Sequence, residues 1–135
     1  MVQEQVKIMK ILIVDDDSSI RKLYTKVLNS NGVEVLASAK NGEEAIIKFR
    51  NLSQKPDIIL MDYQMPVKNG IEAMREILEI DNKIKIIIMS ADEGIKEEAL
   101  LEGATCFVAK TFSLSKMIKD IADNFGKCNC PSFAA

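Results

Sequence analysis

Short apolar runs alternate with amphipathic segments along the whole chain. The runs cover residues 8–14, 33–37, 58–61, 84–89 and 106–109, and they are rich in Ile and Val. Such nearly continuous apolar runs are typical of strands that are covered on both faces of a sheet. Between the first two runs, helical spacing places apolar side chains on one stripe at Ile20, Leu23, Tyr24, Val27 and Leu28.

Four further helices are predicted from the same spacing. They cover about residues 41–52, 71–80 and 95–102, and a last segment that carries Leu114, Met117, Ile118, Ile121 and Phe125. Gly32 and Gly103 are placed to end the first and fourth helices, and Asp17 or Ser18 is placed to cap the first. Strand and helix therefore alternate five times. This alternation predicts an α/β fold in which one parallel sheet carries helices on both faces.

The totals fit one domain and exclude several classes of function. The chain has 135 residues, 47% of them hydrophobic, which is enough for a single core. The net charge is −2 and the 18 basic residues are scattered, so we expect no direct nucleic-acid binding. No apolar run approaches the roughly 18 residues of a membrane span, and the first residues lack a secretory segment. We therefore expect a cytoplasmic protein that does not bind a membrane.

The residue types available for chemistry are restricted. The chain contains no histidine, which excludes Ser-His-Asp and Cys-His catalysis and histidine-ligated metals. Of the three cysteines, Cys106 lies in an apolar run and is interpreted as a core residue. Cys128 and Cys130 form an isolated pair near the end of the chain, for which no zinc or redox role is expected. Any chemistry must therefore use carboxylates, hydroxyls, lysines or groups of a partner.

Polar side chains follow four of the five predicted strands. They are Asp15, Asp16 and Asp17 after the first strand, Asp62 after the third, Ser90 and Ala91 after the fourth, and Lys110 after the fifth. Ligand sites of open parallel sheets lie outside the carboxyl ends of the strands. We therefore expect clustered acids, one hydroxyl and one ammonium at the same edge of the sheet.

The acids of this set need a counter-charge. Two carboxylates about 4 Å apart repel by roughly 4 kcal/mol at an effective dielectric near 20. Lys110 supplies one positive charge, and Mg²⁺ suits the remainder because it prefers oxygen ligands and is held by few carboxylates. Such a cation can neutralise a phosphoryl group that arrives at one of the acids. We expect Asp62 to be that acceptor because it ends a central strand, and the Gln64 backbone carbonyl is available to the metal. Ser90 and Lys110 are then placed to meet the phosphoryl oxygens.

Each of these residues also has a purely structural explanation when it is taken alone. Asp17 with Ser18 can cap a helix, and Asp62 can begin a turn towards Met65 and Pro66. A serine or a lysine after a strand is commonly a solvated side chain. The joint pattern favours a functional site, because all of these explanations would have to hold at one edge of one sheet.

Four segments resemble the motifs of response regulator receiver domains, the CheY-like domains of two-component signalling systems. The segment LIVDDDSSIR resembles the acidic motif and DIILMDYQMPVKNG the phosphoacceptor strand and loop, while IIIMSA and FVAKTF resemble the hydroxyl and lysine motifs. The resemblance covers residues 8–126, which leaves an N-terminal extension at 1–7 and a short C-terminal tail at 127–135. It implies a flavodoxin-like doubly wound (βα)5 domain with sheet order 2-1-3-4-5.

The resemblance also implies how the site works. Asp62 would accept a phosphoryl group from a sensor histidine kinase or a histidine phosphotransferase, in a Mg²⁺-dependent reaction. Asp16, Asp62 and the Gln64 carbonyl would bind Mg²⁺ directly, and Asp15 would act through water. Gln64 and Asp92 would tune the slow autodephosphorylation. The resemblance implies no enzymatic activity beyond this reaction and the self-catalysed transfer.

The remaining implied roles concern signal output. Ser90, Ala91 and Lys110 would bind the phosphoryl group, and Phe107 would move inward behind Ser90. The surface of the fourth helix, fifth strand and fifth helix would then change and signal to a downstream protein. The implied oligomeric state is a monomer or a phosphorylation-dependent dimer.

The sequence departs from the family pattern at two positions. Thr111 stands where the family usually has a proline, often after a cis bond, and a cis bond before a non-proline residue costs ~2.5–4 kcal/mol. We therefore expect a trans bond between Lys110 and Thr111 and a locally altered loop. Phe107 stands where tyrosine is common, so any hydrogen bond of that hydroxyl is absent.

Two other functions remain as alternatives. The stretch IVDDDS also resembles the first motif of haloacid-dehalogenase-type phosphatases, with Asp15 as nucleophile, Asp17 as acid/base, and Ser90 and Lys110 in later motifs. The chain lacks a convincing downstream acidic metal motif for that class, and a phosphatase would be phosphorylated on Asp15 instead of Asp62. The third possibility is a receiver-like interaction module that is never phosphorylated. A protein that does not bind Mg²⁺ would support this possibility.

Overall fold

The chain folds into alternating strands and helices, as the apolar pattern predicts. The structure is a computed structural model that describes residues 8–111, 115–116, 119–121 and 123. Its elements are β1 (Lys10–Val14), α1 (Ser18–Ser30), β2 (Glu34–Ala39), α2 (Gly42–Asn51), β3 (Ile58–Asp62), α3 (Gly70–Ile80), β4 (Lys85–Ser90), α4 (Lys96–Glu102) and β5 (Cys106–Ala109). A single 3₁₀ turn, Glu93–Ile95, leads into α4.

The five strands form one parallel sheet in the order β2-β1-β3-β4-β5. This order confirms the predicted doubly wound (βα)5 arrangement. The sheet places β3 at its centre, and every residue of β3 is buried. The carboxyl ends of β1, β3, β4 and β5 therefore lie side by side at one edge, where the predicted polar residues stand.

Helices cover both faces of the sheet, and each face has its own apolar core. One core contains side chains of α2, α3 and α4, such as Phe49, Met74 and Ala99, packed on β1, β3 and β4. The other core contains Tyr24 and Leu28 of α1 packed on the opposite face of the same strands and on β5. Burial on both faces explains why the central strands read as continuous apolar runs instead of alternating patterns.

The predicted fifth helix falls largely outside the described residues. Residues 115–116, 119–121 and 123 are helical, and Ile121 is buried in the same core as α1. The other residues of the predicted stripe, Leu114, Met117, Ile118 and Phe125, are not among the described residues. The same applies to residues 1–7 and to the tail with Cys128 and Cys130.

Local signals in the sequence set the ends of the helices. Asp17 caps α1, because its Oδ1 accepts hydrogen bonds from the backbone N–H groups of Ser19 and Ile20. A capping box formed by Asn69 and Glu72 begins α3. Gly103 ends α4 with φ 123°, a conformation that L side chains rarely adopt. None of the described helices has the length and apolar character needed to cross a membrane.

Candidate functional site

The predicted site residues meet in a cleft at the carboxyl edge of the sheet. Asp15 follows β1 directly, Asp62 and Ser90 are the last residues of β3 and β4, and Lys110 follows β5. The cleft has a volume of about 340 Å³ and is lined by Asp15, Asp16, Asp17, Ile20, Asp62, Gln64, Ser90, Ala91 and Lys110. Every residue predicted to bind the metal or the phosphoryl group is therefore in this set, except Phe107.

Three hydrogen bonds hold the turn between β1 and α1. The Asp15 N–H donates to the Ala39 carbonyl of the neighbouring strand at 3.0 Å, and the Asp17 N–H donates to Asp15 Oδ1 at 3.0 Å. Arg21 Nη1 donates to the Asp15 carbonyl at 2.7 Å, from the first turns of α1. These bonds direct one oxygen of the Asp15 carboxylate towards the turn and leave Oδ2 facing the cleft.

The acid cluster is compact and partly removed from water. Asp15, Asp16 and Asp62 each place a carboxylate oxygen within 4.8 Å of the other two. Asp15 is 1% exposed and Asp62 is 5% exposed, whereas Asp16 is exposed. Lys110 Nζ lies 2.8 Å from Asp15 Oδ2 and 3.1 Å from Asp62 Oδ1, so one ammonium bridges the two buried carboxylates.

The single ammonium does not neutralise these acids. Burial raises the pKa of Asp62 from 3.8 to about 6; Lys110 opposes the rise, and Asp15 and Asp16 add to it by repulsion. Burial lowers the pKa of Lys110, but its hydrogen bond to Asp15 and its attraction to both acids outweigh burial and raise that pKa. Three carboxylates against one ammonium leave a negative excess. This donor set fits Mg²⁺, a hard cation that takes carboxylate oxygens.

Ser90 lies at the end of β4 with its hydroxyl engaged. Its side chain is buried, and its Oγ accepts a hydrogen bond from the Asp92 N–H at 3.0 Å. Asp92 itself is exposed, and its Oδ1 accepts from the Gly94 N–H at 2.9 Å, which caps the 3₁₀ turn before α4. The Ser90 hydroxyl is thus linked through one hydrogen bond to the segment that leads into α4.

The segment after β5 carries Lys110 to the acids without the usual proline. No cis peptide bond occurs among the described residues, which include Lys110 and Thr111, so the predicted trans bond is confirmed. The Lys110 N–H donates to the Ser90 carbonyl at 2.8 Å, which holds the end of β5 against β4. Phe107 pairs with Ile88 and is half-buried against the core of α2, α3 and α4, behind the cleft.

The loop between β3 and α3 lies close against the strand end. The Gly70 N–H donates to the Tyr63 carbonyl at 2.8 Å, and a Cβ on Gly70 would lie 2.4 Å from the Asp62 carbonyl oxygen. Only glycine allows this approach. Val67 in the same loop has φ 73° and is 77% exposed, which is a strained conformation for a β-branched residue.

Several features of the site were not anticipated from the sequence. Arg21 and Ile20 belong to the surroundings of the cleft, yet helical spacing alone marks them as residues of α1 and does not reveal their contacts. The left-handed conformation of Val67 has no sequence signal, because valine normally disfavours it. Asp17 was predicted as a helix cap and also lines the cleft.

Fold and site together define a class: a doubly wound α/β domain with an acidic cluster, a hydroxyl and an ammonium at the carboxyl edge of its sheet. The family model described as "Response regulator receiver domain" matches residues 11–122. The chain belongs to this family. The predicted resemblance is confirmed, and the phosphatase alternative is not favoured.

Similar proteins support the same assignment. The chain is 40% identical over 112 residues to chemotaxis protein CheY of Thermotoga maritima, a match that covers 82% of this chain and 92% of that protein. Its fold is similar to the receiver domain of Thermotoga maritima CheB, with a TM-score of 0.80, 31% identity, and coverage of 91% and 98%. It is also similar to CheY in a CheX–CheY–BeF₃–Mg complex of Borrelia burgdorferi, with a TM-score of 0.78, 32% identity, and coverage of 87% and 89%.

Proposed function

We propose that Asp62 is the phosphoryl acceptor of this receiver domain. The observation that supports this most directly is the shared ammonium: Lys110 lies within hydrogen-bonding distance of both Asp15 and Asp62. Asp62 stands at the end of the central strand, in the cleft and next to the hydroxyl of Ser90, so a group attached to its carboxylate would be surrounded by donors. Asp15 is deeper, and both of its oxygens already accept hydrogen bonds.

The direct metal ligands that we propose are Asp16, Asp62 and the backbone carbonyl of Gln64, with Asp15 binding the metal through a water. Asp15, Asp16 and Asp62 form the acid cluster, and Gln64 lines the same cleft. Bound Mg²⁺ would neutralise the acids and the oxygens of an incoming phosphoryl group. The beryllium fluoride and magnesium in the solved Borrelia burgdorferi complex are consistent with this choice.

Other residues of the cleft would bind the phosphoryl group and transmit its presence to the surface. Lys110 orients the phosphoryl oxygens by charge, and the backbone after Ser90, including Ala91, is available as a donor. The Ser90 hydroxyl can turn from the Asp92 N–H towards the phosphoryl group, which frees the segment that leads into α4. Phe107 can then move into the space behind Ser90. A local charge change would thus bias a two-state surface made of α4, β5 and the following helical segment.

The partners follow from the chemistry of the chain. The protein donor would be the phosphohistidine of a sensor histidine kinase or a histidine phosphotransferase. This chain contains no histidine, so a phosphohistidine donor has to belong to another protein. Gln64 lines the cleft, and the Asp92 N–H donates to Ser90 Oγ. These two residues would tune the slow loss of the phosphoryl group, and the chain would have no further enzymatic role. The output partner would be another protein; the solved CheY of Borrelia burgdorferi is one example of a receiver in complex with a second protein, CheX.

The further expectations from the sequence stay proposals. The receiver would span residues 8–126, with an extension at 1–7 and a tail at 127–135. The protein would act in the cytoplasm without binding nucleic acid or membrane. It would be monomeric, or dimeric only when phosphorylated.

The direct test is incubation with acetyl phosphate, with and without Mg²⁺, followed by intact mass. Wild type is expected to gain one phosphoryl group only when Mg²⁺ is present. Asp62→Asn removes the acceptor and should gain none, whereas Asp15→Asn should be slowed through weaker metal binding. An exposed-surface change, Glu79→Gln, serves as the control for loss of one negative charge.

Two outcomes would contradict the proposal. An adduct that persists in Asp62→Asn and disappears in Asp15→Asn would support a phosphatase-like nucleophile at Asp15. Wild type that forms no adduct and also fails to bind beryllium fluoride with Mg²⁺ would support an interaction module that is never phosphorylated.

A further inference from the structure

The hydroxyl of Tyr24 is buried in an unusual way. Tyr24 belongs to α1, is 1% exposed, and packs in the apolar core between α1 and the sheet. Its hydroxyl is the one buried side-chain oxygen or nitrogen without a hydrogen-bond partner among the residues that the structure describes. A phenylalanine would fill the same space without this uncompensated group, so the hydroxyl calls for a physical explanation.

The position of Tyr24 directs its hydroxyl towards the acid cleft. Side chains of a helix lean towards its N-terminus, so the ring of Tyr24 lies over the preceding turn. That turn carries Ile20, which lines the cleft. The strand alternation gives the same direction: Ile13, Leu60 and Val108 lie in the core of Tyr24, and Asp15, Asp62 and Lys110 each follow two residues later on the same side of the sheet.

The charges of the cleft also act on this hydroxyl. Burial raises the pKa of Tyr24 to about 12; Lys110 opposes the rise, and Asp15 and Asp62 add to it. The hydroxyl is therefore close enough to the site to respond to its charges. In the present state, however, the ammonium of Lys110 donates to Asp15 Oδ2 at 2.8 Å, so this buried carboxylate oxygen already has a donor.

We propose that Tyr24 is a positioning residue whose hydroxyl donates to the Asp15 carboxylate when Lys110 turns to a phosphoryl group on Asp62. This inference rests on the proposed function, because it requires an anion at Asp62. A phosphoryl group would attract the ammonium, and the buried Asp15 Oδ2 would lose that donor. A carboxylate oxygen has two lone pairs, so Oδ2 can accept a hydrogen bond from Tyr24 beside any contact to the metal or its water. The Tyr24 hydroxyl, unpaired in the resting state, would thus gain a partner only in the phosphorylated state.

The pairing would bias the equilibrium between the two states. In the resting state the Tyr24 hydroxyl is a cost, and in the phosphorylated state it makes a charge-assisted hydrogen bond, which is stronger than a neutral one. Tyr24 would therefore act on the acceptor through Asp15 and Lys110 without touching the phosphoryl group.

The test is the affinity for beryllium fluoride with saturating Mg²⁺, measured on full-length wild type, Tyr24→Phe and Leu28→Met. Leu28 is buried one turn further along α1 in the same core, so its change to Met controls for small alterations of packing. Tyr24→Phe is expected to bind beryllium fluoride at least about tenfold more weakly than wild type does. Without ligand, this variant should melt at the same temperature as wild type or at a higher one. Leu28→Met should bind as wild type does.

A spectroscopic readout separates positioning from packing. The chain has two tyrosines, so the ¹³Cζ signal of Tyr24 can be assigned by its absence in Tyr24→Phe. That signal should shift when beryllium fluoride binds, as the hydroxyl gains a carboxylate acceptor. Equal affinity of Tyr24→Phe and wild type, or an unmoved Tyr24 signal, would overturn the inference while leaving the proposed function intact. Failure of wild type itself to bind beryllium fluoride would overturn both.

Discussion

Replacing Asp62 by Asn is expected to stabilise the metal-free protein at neutral and alkaline pH. The buried carboxylate lies beside Asp15 and Asp16 and shares the ammonium of Lys110 with Asp15. Asn has nearly the same shape and carries no charge. The change therefore removes a charge that metal binding and phosphoryl transfer need, and with it a repulsion that destabilises the metal-free fold.

The pKa of Asp62 sets the size and pH dependence of this gain. Burial and the neighbouring acids raise it from 3.8 to about 6, and one tenfold change in an ionisation constant is worth about 1.4 kcal/mol. The ionised carboxylate thus costs the folded state on the order of 3 kcal/mol. The pKa of Asp62 is higher in the folded state than in the unfolded state. The free energy of unfolding of wild type is therefore highest, relative to that of Asp62→Asn, below pH 3.8, and this contribution is lost as the pH rises through about 6.

The assay is urea unfolding of wild type and Asp62→Asn at a series of pH values in chelated buffer. The variant should be more stable by about 3 kcal/mol near pH 8, and the two proteins should agree near pH 4. Saturating Mg²⁺ should remove most of this difference in stability at pH 8. The metal binds and stabilises wild type, whereas the variant has lost one of the metal ligands. Glu79→Gln, which removes an exposed charge, should change little at any pH.

A difference near zero at pH 8 would contradict this expectation and would mean that the protein itself neutralises the acids. A difference of the same size at pH 4 and pH 8 would also contradict it. In that case the gain would come from packing or hydrogen bonding, and the ionisation of Asp62 would play no part.

Three other substitutions test the supports of the site. Gly70→Ala places a Cβ 2.4 Å from the Asp62 carbonyl oxygen, so we expect a loss of at least ~2 kcal/mol in urea unfolding and slower phosphorylation by acetyl phosphate. Asn69→Ala removes the cap of α3 and should cost about 1 kcal/mol, with phosphorylation unchanged. Lys110→Met leaves the buried Asp15 without its ammonium, so the free energy of unfolding without metal should fall by on the order of 3 kcal/mol. Mg²⁺ should restore part of this loss, and the variant should accept phosphoryl groups at least tenfold more slowly.

The position of the site could be predicted because it follows from topology. Asp15, Asp62, Ser90 and Lys110 end four apolar runs, and a parallel sheet brings such ends to one edge. The N-cap at Asp17 is equally local, since a side chain and two nearby N–H groups are sufficient. Order 2-1-3-4-5 came from resemblance to the family, and the strand pairing confirms it.

Other features depend on contacts that no local pattern contains. The predicted second strand, residues 33–37, is observed as Glu34–Ala39, because its last residues pair with β1 as far as Val14 although they are not strongly apolar. As an edge strand, β2 is only partly buried, so hydrophobicity defines its limits poorly. The bond from Arg21 to the Asp15 carbonyl and the unpaired hydroxyl of Tyr24 arise from tertiary packing alone.

The central claim, that Asp62 accepts the phosphoryl group, is tested most directly by locating the modified residue. Wild type treated with acetyl phosphate and Mg²⁺ would be reduced with borohydride, which converts an aspartyl phosphate to homoserine, and the peptides would be sequenced by mass spectrometry. We expect homoserine at position 62 and unmodified aspartate at positions 15 and 16. Homoserine at position 15 with an intact Asp62 would contradict it.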